Sequence, residues 1–360
     1  MRPNQLTIGI VRRGFSLGGG AEAYLKRLAG GVAKVGHRIS LFTSAEWPDT
    51  EWNFGPVVRL SATSAVAFAD ELEKVSRGNC DVLFSLERVW RCDVYRAGDG
   101  VHRGWLERRH QIAGPLRKLS RLLNRKHSAT LALEESLFAK RGANRVIANS
   151  RMVKEEITRH YGYPEENIEV VYNGLPLDAL QRDEFDRAKT REALGLSADE
   201  IGVLFAGSGW ERKGLRFAIE AMERQDPRLK FLVAGRGEAR KFSSSRTRFF
   251  GVVREMPPLY RAADIFLLPT VYDPFSNACL EALAAGLPVI TTRANGFSEI
   301  MVTGKHGTTA DRPQDVVALA AALEFWSEPA RRAQAKVDNL ALAAQFDISR
   351  NIAETLAILA

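Results

Sequence analysis

The sequence predicts an α/β protein made of two units, each with a parallel sheet. Strand-like runs alternate with helical ones along the whole chain, the pattern of parallel α/β architecture. The 360 residues exceed one ordinary domain, and 45% hydrophobic with 26% charged residues suffices for two cores. The two units divide near YNGLPLDAL (172–180), where Asn-Gly and Pro punctuate the chain and charged helical sequence follows.

In the first half LTIGIV (6–11) reads as a strand, followed by the turn GFSLGGG and a helix near 21–35 with Leu25, Leu28 and Val32 on one face. RISLFT (38–43), DVLFS (81–85) and RVIAN (145–149) are further strands. The second half repeats the scheme with IGVLFAG (201–207), KFLVAG (230–235), DIFLLP (264–269) and LPVITT (287–292). The last segment, FDISRNIAETLAILA, reads as an amphipathic helix. Cys80, Cys92 and Cys279 are odd in number and irregularly spaced, which argues against a disulfide framework and for a reducing compartment. The opening apolar run is too short for a signal peptide, and no uncharged apolar run approaches about 18 residues. A cytoplasmic protein is expected.

One stretch departs from the pattern. Residues 103–126 carry eight Arg or Lys, among them Arg108, Arg109, Arg117, Lys118 and Arg121, against the single acid Glu107. The net charge of the whole chain is only +8. Ile112, Leu116, Leu119 and Leu123 recur at helical spacing. This describes either a basic amphipathic helix lying on an anionic membrane surface or a solvated helix whose apolar stripe enters the core. Nucleic acid is disfavoured because aromatic residues are not interleaved as stacking platforms.

The chemistry concentrates in YDPFSNACLEALAAGLPVITT (272–292). Ser276 is a good N-cap, the helix runs to about Ala285, and Gly286 and Pro288 end it. A helix start leaves backbone N–H groups free and favours an anion. Asp273 precedes that end, and Glu281 lies about 7.5 Å along the axis at 1.5 Å per residue. With a phosphate at the helix start, Glu281 can accept hydrogen bonds from a ribose diol, and Asp273 can meet hydroxyls on the other side. An ordinary pair of acids would instead cap the helix and pair with a surface Arg. GSGWERKG (207–214) puts Arg212 and Lys213 at a strand–helix junction, where a planar fork and a mobile point charge suit a diphosphate. GFSLGGGAE (14–22) lets backbone approach a ligand closely, but it lacks the Gly-x-Gly-x-x-Gly pattern, which discounts a nicotinamide site. NGFSEI (295–300) follows a strand at the edge where open α/β sheets bind ligands.

Asp273-x7-Glu281 followed by ALAAGLPVI resembles the E-x7-E signature of the retaining, group 1 (GT-B) glycosyltransferases. The likeness covers most of the chain: the GGG-A-E turn, YNG at the link, the RKG turn, AGRG, and NGFSEI with Gly304 and Gly307 beyond. YRAGDGVHRGWLERR (95–109) is similar to lipopolysaccharide-core glucosyltransferases. The first acid of the signature is Asp here, one methylene shorter.

The resemblance implies a GT-B fold, two Rossmann-like α/β domains facing a central cleft. An acceptor-binding domain spans 1–174, a nucleotide-sugar-binding domain 175–345, and a last helix, 346–360, packs back on the first. It implies that Glu281 holds the donor's ribose. Asp273, with the backbone of Phe275, Ser276 and Asn277, holds the transferred sugar. Arg212 and Lys213 neutralise the departing diphosphate, Gly18 and Gly19 pack against it, and main chain at Val253 and Arg254 reads the base. Asp99 and His102 stand beside the reacting sugar.

The implied function is retaining transfer of a hexose, glucose by resemblance, from a UDP-linked donor to a lipopolysaccharide-core or similar lipid-linked acceptor. Such an enzyme would sit at the cytoplasmic face of the inner membrane. No Asp-x-Asp pair occurs, so no metal or other cofactor is expected. The rival readings are a nucleotide-sugar epimerase of the same fold and a non-enzymatic membrane- or nucleic-acid-binding protein. His102 has an ordinary structural reading too, and Asn149 and Ser150 read as cap or turn residues.

Overall fold

The computed structural model describes residues 5–15, 20–62, 64–75, 80–112, 125–177, 186–242, 244 and 246–359. Gly18, Gly19, Arg117, Lys118 and Arg121 lie outside them. The described chain divides into two compact units, Met1–Tyr172 with Ile348–Ala360, and Asn173–Asp347.

In the first unit seven strands form one parallel sheet: β1 (Thr7–Val11), β2 (Arg38–Ser44), β3 (Val57–Leu60), β4 (Val82–Ser85), β5 (Cys92–Ala97), β6 (Ala143–Ala148) and β7 (Ile168–Val170). Their order is β3-β2-β1-β4-β5-β6-β7. The helices include α1 (Gly20–Lys34), α2 (Ala65–Lys74), α3 (His102–Ile112), α4 (Arg125–Glu134) and α5 (Arg151–Tyr161). Leu25, Leu28 and Val32 of α1 are fully buried with Ile8 and Ile10 of β1, so the spacing read from sequence does face the core.

The second unit carries six parallel strands: β8 (Ile201–Ala206), β9 (Leu229–Ala234), β10 (Thr247–Gly251), β11 (Ile265–Leu268), β12 (Val289–Thr292) and β13 (Gly307–Ala310). The order β10-β9-β8-β11-β12-β13 reverses direction between β8 and β11, the Rossmann switch point at whose carboxyl edge ligands bind. All residues of β11 and β12 are buried, as expected of strands covered on both faces. Helices α6 (Arg187–Ala193), α7 (Trp210–Lys213), α8 (Leu215–Met222), α9 (Pro257–Ala262), α10 (Asn277–Ala284), α11 (Val316–Trp326) and α12 (Pro329–Ala343) complete the unit.

The final helix, α13 (Ile348–Leu359), belongs to the first unit. Gly31 of α1 makes room for it: a Cβ there would lie 2.4 Å from Ile352 Cγ2. Asn351 Nδ2 donates to the carbonyl of Tyr172 at 2.5 Å.

Five strands escaped the sequence reading: β3, β5, β7, β10 and β13. In β5 the reason is Arg96, a buried cation interrupting the apolar run, stacked 4.4 Å over the ring of Tyr24. The basic stretch begins as α3 and resumes as α4, while its residues 113–124, with Leu116, Leu119 and Leu123, lie outside the described residues. Among the described residues no helix is long and apolar enough to cross a membrane.

Candidate active site

The strongest cluster of expected site residues lies on the loops after β8, β11 and β12. Trp210 anchors the first loop. Its ring is buried, its indole N–H donates to the Gly207 carbonyl at 3.0 Å, and Gly237 is open beneath it, since a Cβ there would lie 2.3 Å from the ring. The single turn α7 is bounded by Gly209 and Gly214, both left-handed at φ +73° and +76°. Gly214 is required twice over: by that φ, and because a Cβ would lie 1.9 Å from the carbonyl oxygen of Pro269.

This turn is fastened to the loop after β11. The Arg212 carbonyl accepts from Val271 N at 2.8 Å and from Thr270 Oγ1 at 2.9 Å. Arg212 Nε donates to the Tyr272 carbonyl at 2.9 Å, and the guanidinium lies over the Tyr272 ring. Its two Nη groups make no hydrogen bond among the described residues, so the fork remains available. Lys213 Nζ is brought to Asp273 Oδ2 and pairs with it.

Asn295 joins the third loop to the other two. It is fully buried, and its Oδ1 accepts from Ser276 N at 3.2 Å and Phe297 N at 3.1 Å. Its Nδ2 donates to Thr291 Oγ1 at 3.0 Å. Backbone bonds from Asp273 N to Ala294 O and from Gly296 N to Asp273 O, both 2.9 Å, complete a bridge beside it. A buried amide with these partners specifies one arrangement of the loops.

Ser276 caps α10 as the sequence suggests, accepting from Cys279 N at 3.4 Å. Phe275 is buried edge-on against Phe297. Asn277 is exposed, and its Oδ1 accepts from Asn173 Nδ2 at 2.7 Å. One turn further, Glu281 Oε2 accepts from the Tyr260 hydroxyl at 2.7 Å. Burial, and then the Glu281 charge, hold the Tyr260 phenol well above its usual range, so it stays a donor. Burial also pushes the Cys279 thiol up to about 12, which makes it inert as a nucleophile. Val253 and Arg254 follow β10 on the same edge of the sheet, with Arg254 exposed.

The first unit has its own charged cluster after β5. Asp99 sits in an exposed turn, its carboxylate 3.8 Å from Arg88. His102 opens α3, and its Nε2 lies 2.9 Å from His127 Nδ1. Beneath both is Glu134, fully buried and not singled out from sequence. Its carboxylate accepts from His102 N at 2.6 Å, Arg103 N at 3.3 Å, Tyr161 Oη at 2.8 Å and Arg88 Nε at 3.0 Å. The start of α3 is therefore already neutralised from within. The acids Glu134 and Glu135 set between the apolar ends of LALEESLF were the available signal. Ser150 caps α5 as read, while Asn149 is neither cap nor turn: it donates to the Gly98 carbonyl, 51 positions away, at 3.1 Å.

Of the residues expected to face a membrane or acceptor, Arg108 turns inward and pairs with the buried Glu156, so its charge is committed inside the unit. Gly104 permits the approach, because a Cβ there would lie 2.8 Å from Glu156. Arg109 lies 5.8 Å over the Trp105 ring.

Comparison with known proteins agrees with this geometry. The family described as glycosyl transferases group 1 matches residues 200–328, and glycosyltransferase family 4 matches residues 18–179. A probable transglycosylase of Burkholderia thailandensis is 29% identical over 98% of this chain and 96% of its own length. The lipopolysaccharide glucosyltransferase WaaG of Escherichia coli K12 is 24% identical, covering 82% of each chain. The crystal structure of WaaG superposes with a TM-score of 0.80 at 20% identity, covering 98% of this chain and 99% of that one. Anabaena HepE, solved with UDP and glucose, gives 0.75 at 21% identity over 98% and 100%. Two Rossmann-like units, each matched by a glycosyltransferase family model, make the protein a glycosyltransferase of GT-B fold.

Proposed function

We propose that the protein is a retaining hexosyltransferase that moves glucose from UDP-glucose to a lipopolysaccharide-core or similar lipid-linked acceptor. One observation carries the donor half: an unpaired arginine fork, a lysine–carboxylate pair, a capped helix start and a second carboxylate one turn along, all at the carboxyl edge around β8, β11 and β12. The UDP and glucose bound by HepE support the choice of nucleotide and sugar, and WaaG supports the acceptor class.

In this reading Arg212 grips the pyrophosphate and Lys213 shifts between Asp273 and the departing phosphate. Asp273, with the backbone of Phe275, Ser276 and Asn277, orients the sugar, and Glu281 holds the ribose diol. Main chain at Val253 and Arg254 meets the base. The acceptor oxygen bonds to the anomeric carbon as the bond to the phosphate oxygen breaks. The electron pair leaves on that phosphate oxygen, which takes the acceptor's proton on the same face, so configuration is retained. Asp99 and His102 position the sugar. Cationic side chains and the helix start stabilise the leaving group, a preorganised electrostatic contribution. No metal is required in this scheme.

The acceptor half places the enzyme at the cytoplasmic face of the inner membrane, held by Arg109 and by Arg117, Lys118 and Arg121. Anionic lipid attracts such basic residues by about 1 kcal/mol each. Incubation of UDP-glucose with purified acceptor, followed by proton NMR of the new anomeric centre, tests transfer and stereochemistry together. An α-linked product supports the proposal. A β-linked product, or isomerised donor without acceptor, rejects it.

A further inference from the structure

The amino ends of β11 and β12, on the opposite edge of the same sheet, border a cavity of about 730 Å³. We infer that this cavity binds a phosphomonoester, a ligand distinct from the nucleotide sugar and independent of where that donor sits.

Its walls carry Arg187, Arg261, Arg332 and Lys336 against one acid, Asp264. Asp264 is saturated. Its Oδ1 accepts from Arg187 Nη2 at 2.7 Å, and its Oδ2 accepts from Arg191 Nη1 and from Gly202 N, both at 2.8 Å. Two arginines on one carboxylate leave positive charge uncompensated before the other cations are considered.

Arg332 is held ready by half of its guanidinium. Nη1 donates to the carbonyls of Trp326 at 2.9 Å and Ser327 at 2.6 Å, while Nε and Nη2 make no hydrogen bond among the described residues. Burial lowers its pKa from the ordinary arginine value; Asp264 opposes this, and Arg187 and Arg191 add to it. A bound anion would reverse that unfavourable balance. Arg332 also lies in the first turn of α12, where the helix end favours negative charge.

Lys336 stands one turn further along α12 and makes no ion pair among the described residues. Gly286, at φ +81°, lies directly under its stem, and a Cβ there would come 2.6 Å from Lys336 Cγ. The contact lays the lysine along the cavity rim. A fixed arginine fork beside a mobile ammonium suits the three acceptor oxygens of a phosphomonoester.

The rest of the ligand is constrained by the remaining walls. Ala284, Leu287 and Leu340 offer a small apolar face, and among the described residues no aromatic ring lines the cavity. A nucleobase would find no ring to stack on, so a sugar phosphate fits better. The volume falls within the range of about 300–1,000 Å³ usual for small-molecule sites.

Calorimetric titration of the full chain with glucose 6-phosphate, in saturating UDP, tests the inference. A parallel arm sediments the protein with vesicles containing phosphatidic acid, separating a lipid-borne phosphate from a soluble one. The expected result is saturable binding in one arm, unaffected by UDP and weakened about tenfold or more by Lys336→Gln. Arg332→Gln should weaken it further, but Lys336 is the cleaner position because its side chain is exposed and braces no backbone. Binding in neither arm, displacement by UDP, or indifference to Lys336→Gln overturns the site.

Discussion

Lys213 and Asp273, sixty positions apart in the chain, meet as an ion pair with side chains 19% and 7% exposed. The pair sets the first prediction. Lys213→Ala should lower turnover about a hundredfold or more, on the scale of losing one preorganised donor to the developing charge. It should also destabilise the unit by about 3–5 kcal/mol, because Asp273 is left buried and uncompensated. Adding Asp273→Asn should restore much of the melting temperature without restoring turnover, which separates the chemical role from the structural one.

Arg212 should behave differently. Its side chain makes one hydrogen bond, from Nε, and a loose contact with the Tyr272 ring, so Arg212→Lys should leave the melting temperature nearly unchanged. The planar fork is lost, however, and UDP affinity measured by calorimetry should fall about tenfold.

Tyr260→Phe removes the hydroxyl that holds Glu281. A hydrogen bond to a charged group contributes about 1.5–3 kcal/mol. If Glu281 binds the ribose in ground and transition states alike, donor KM should rise about tenfold or more while kcat changes little.

His306 gives a pH signature unrelated to catalysis. It is buried, its Nδ1 accepts from Val302 N at 3.0 Å, and burial, then Lys305, lowers its pKa from the usual histidine value. The unfolded chain therefore binds a proton that the folded chain resists, so stability falls as pH drops through about 6.5. His160 contributes in the same direction, again through burial. Thermal melts from pH 7.5 to 5.5 should show the decline, and His306→Gln should flatten it. A variant as steep as the wild type would remove His306 from the explanation.

The parts legible in sequence were those with local punctuation. Ser276, Gly286 and Pro288 bracket α10, and Gly207, Gly209 and Gly214 frame the turn carrying Arg212 and Lys213. The alternation of apolar runs marked every inner strand of both sheets except β5. Hidden from the sequence were residues whose importance comes from distant partners. Asn295 reads as an ordinary turn residue until Ser276, Phe297 and Thr291 converge on it. Glu134 and Glu156 sit on helices that read as generic, yet each is buried with an arginine from elsewhere in the chain. Arg108 was read as part of a surface charge run, and its burial partner lies 48 positions away. Edge strands β10 and β13 were missed because Thr, Arg and Gly break their apolar character.

A crystal structure with an unhydrolysable UDP-glucose analogue tests the central claim most directly. The pyrophosphate should lie between the Arg212 fork and the start of α10, with the ribose hydroxyls on Glu281 and Lys213 drawn from Asp273. An analogue bound elsewhere, with Lys213 still paired to Asp273 and the Arg212 fork empty, would contradict the account.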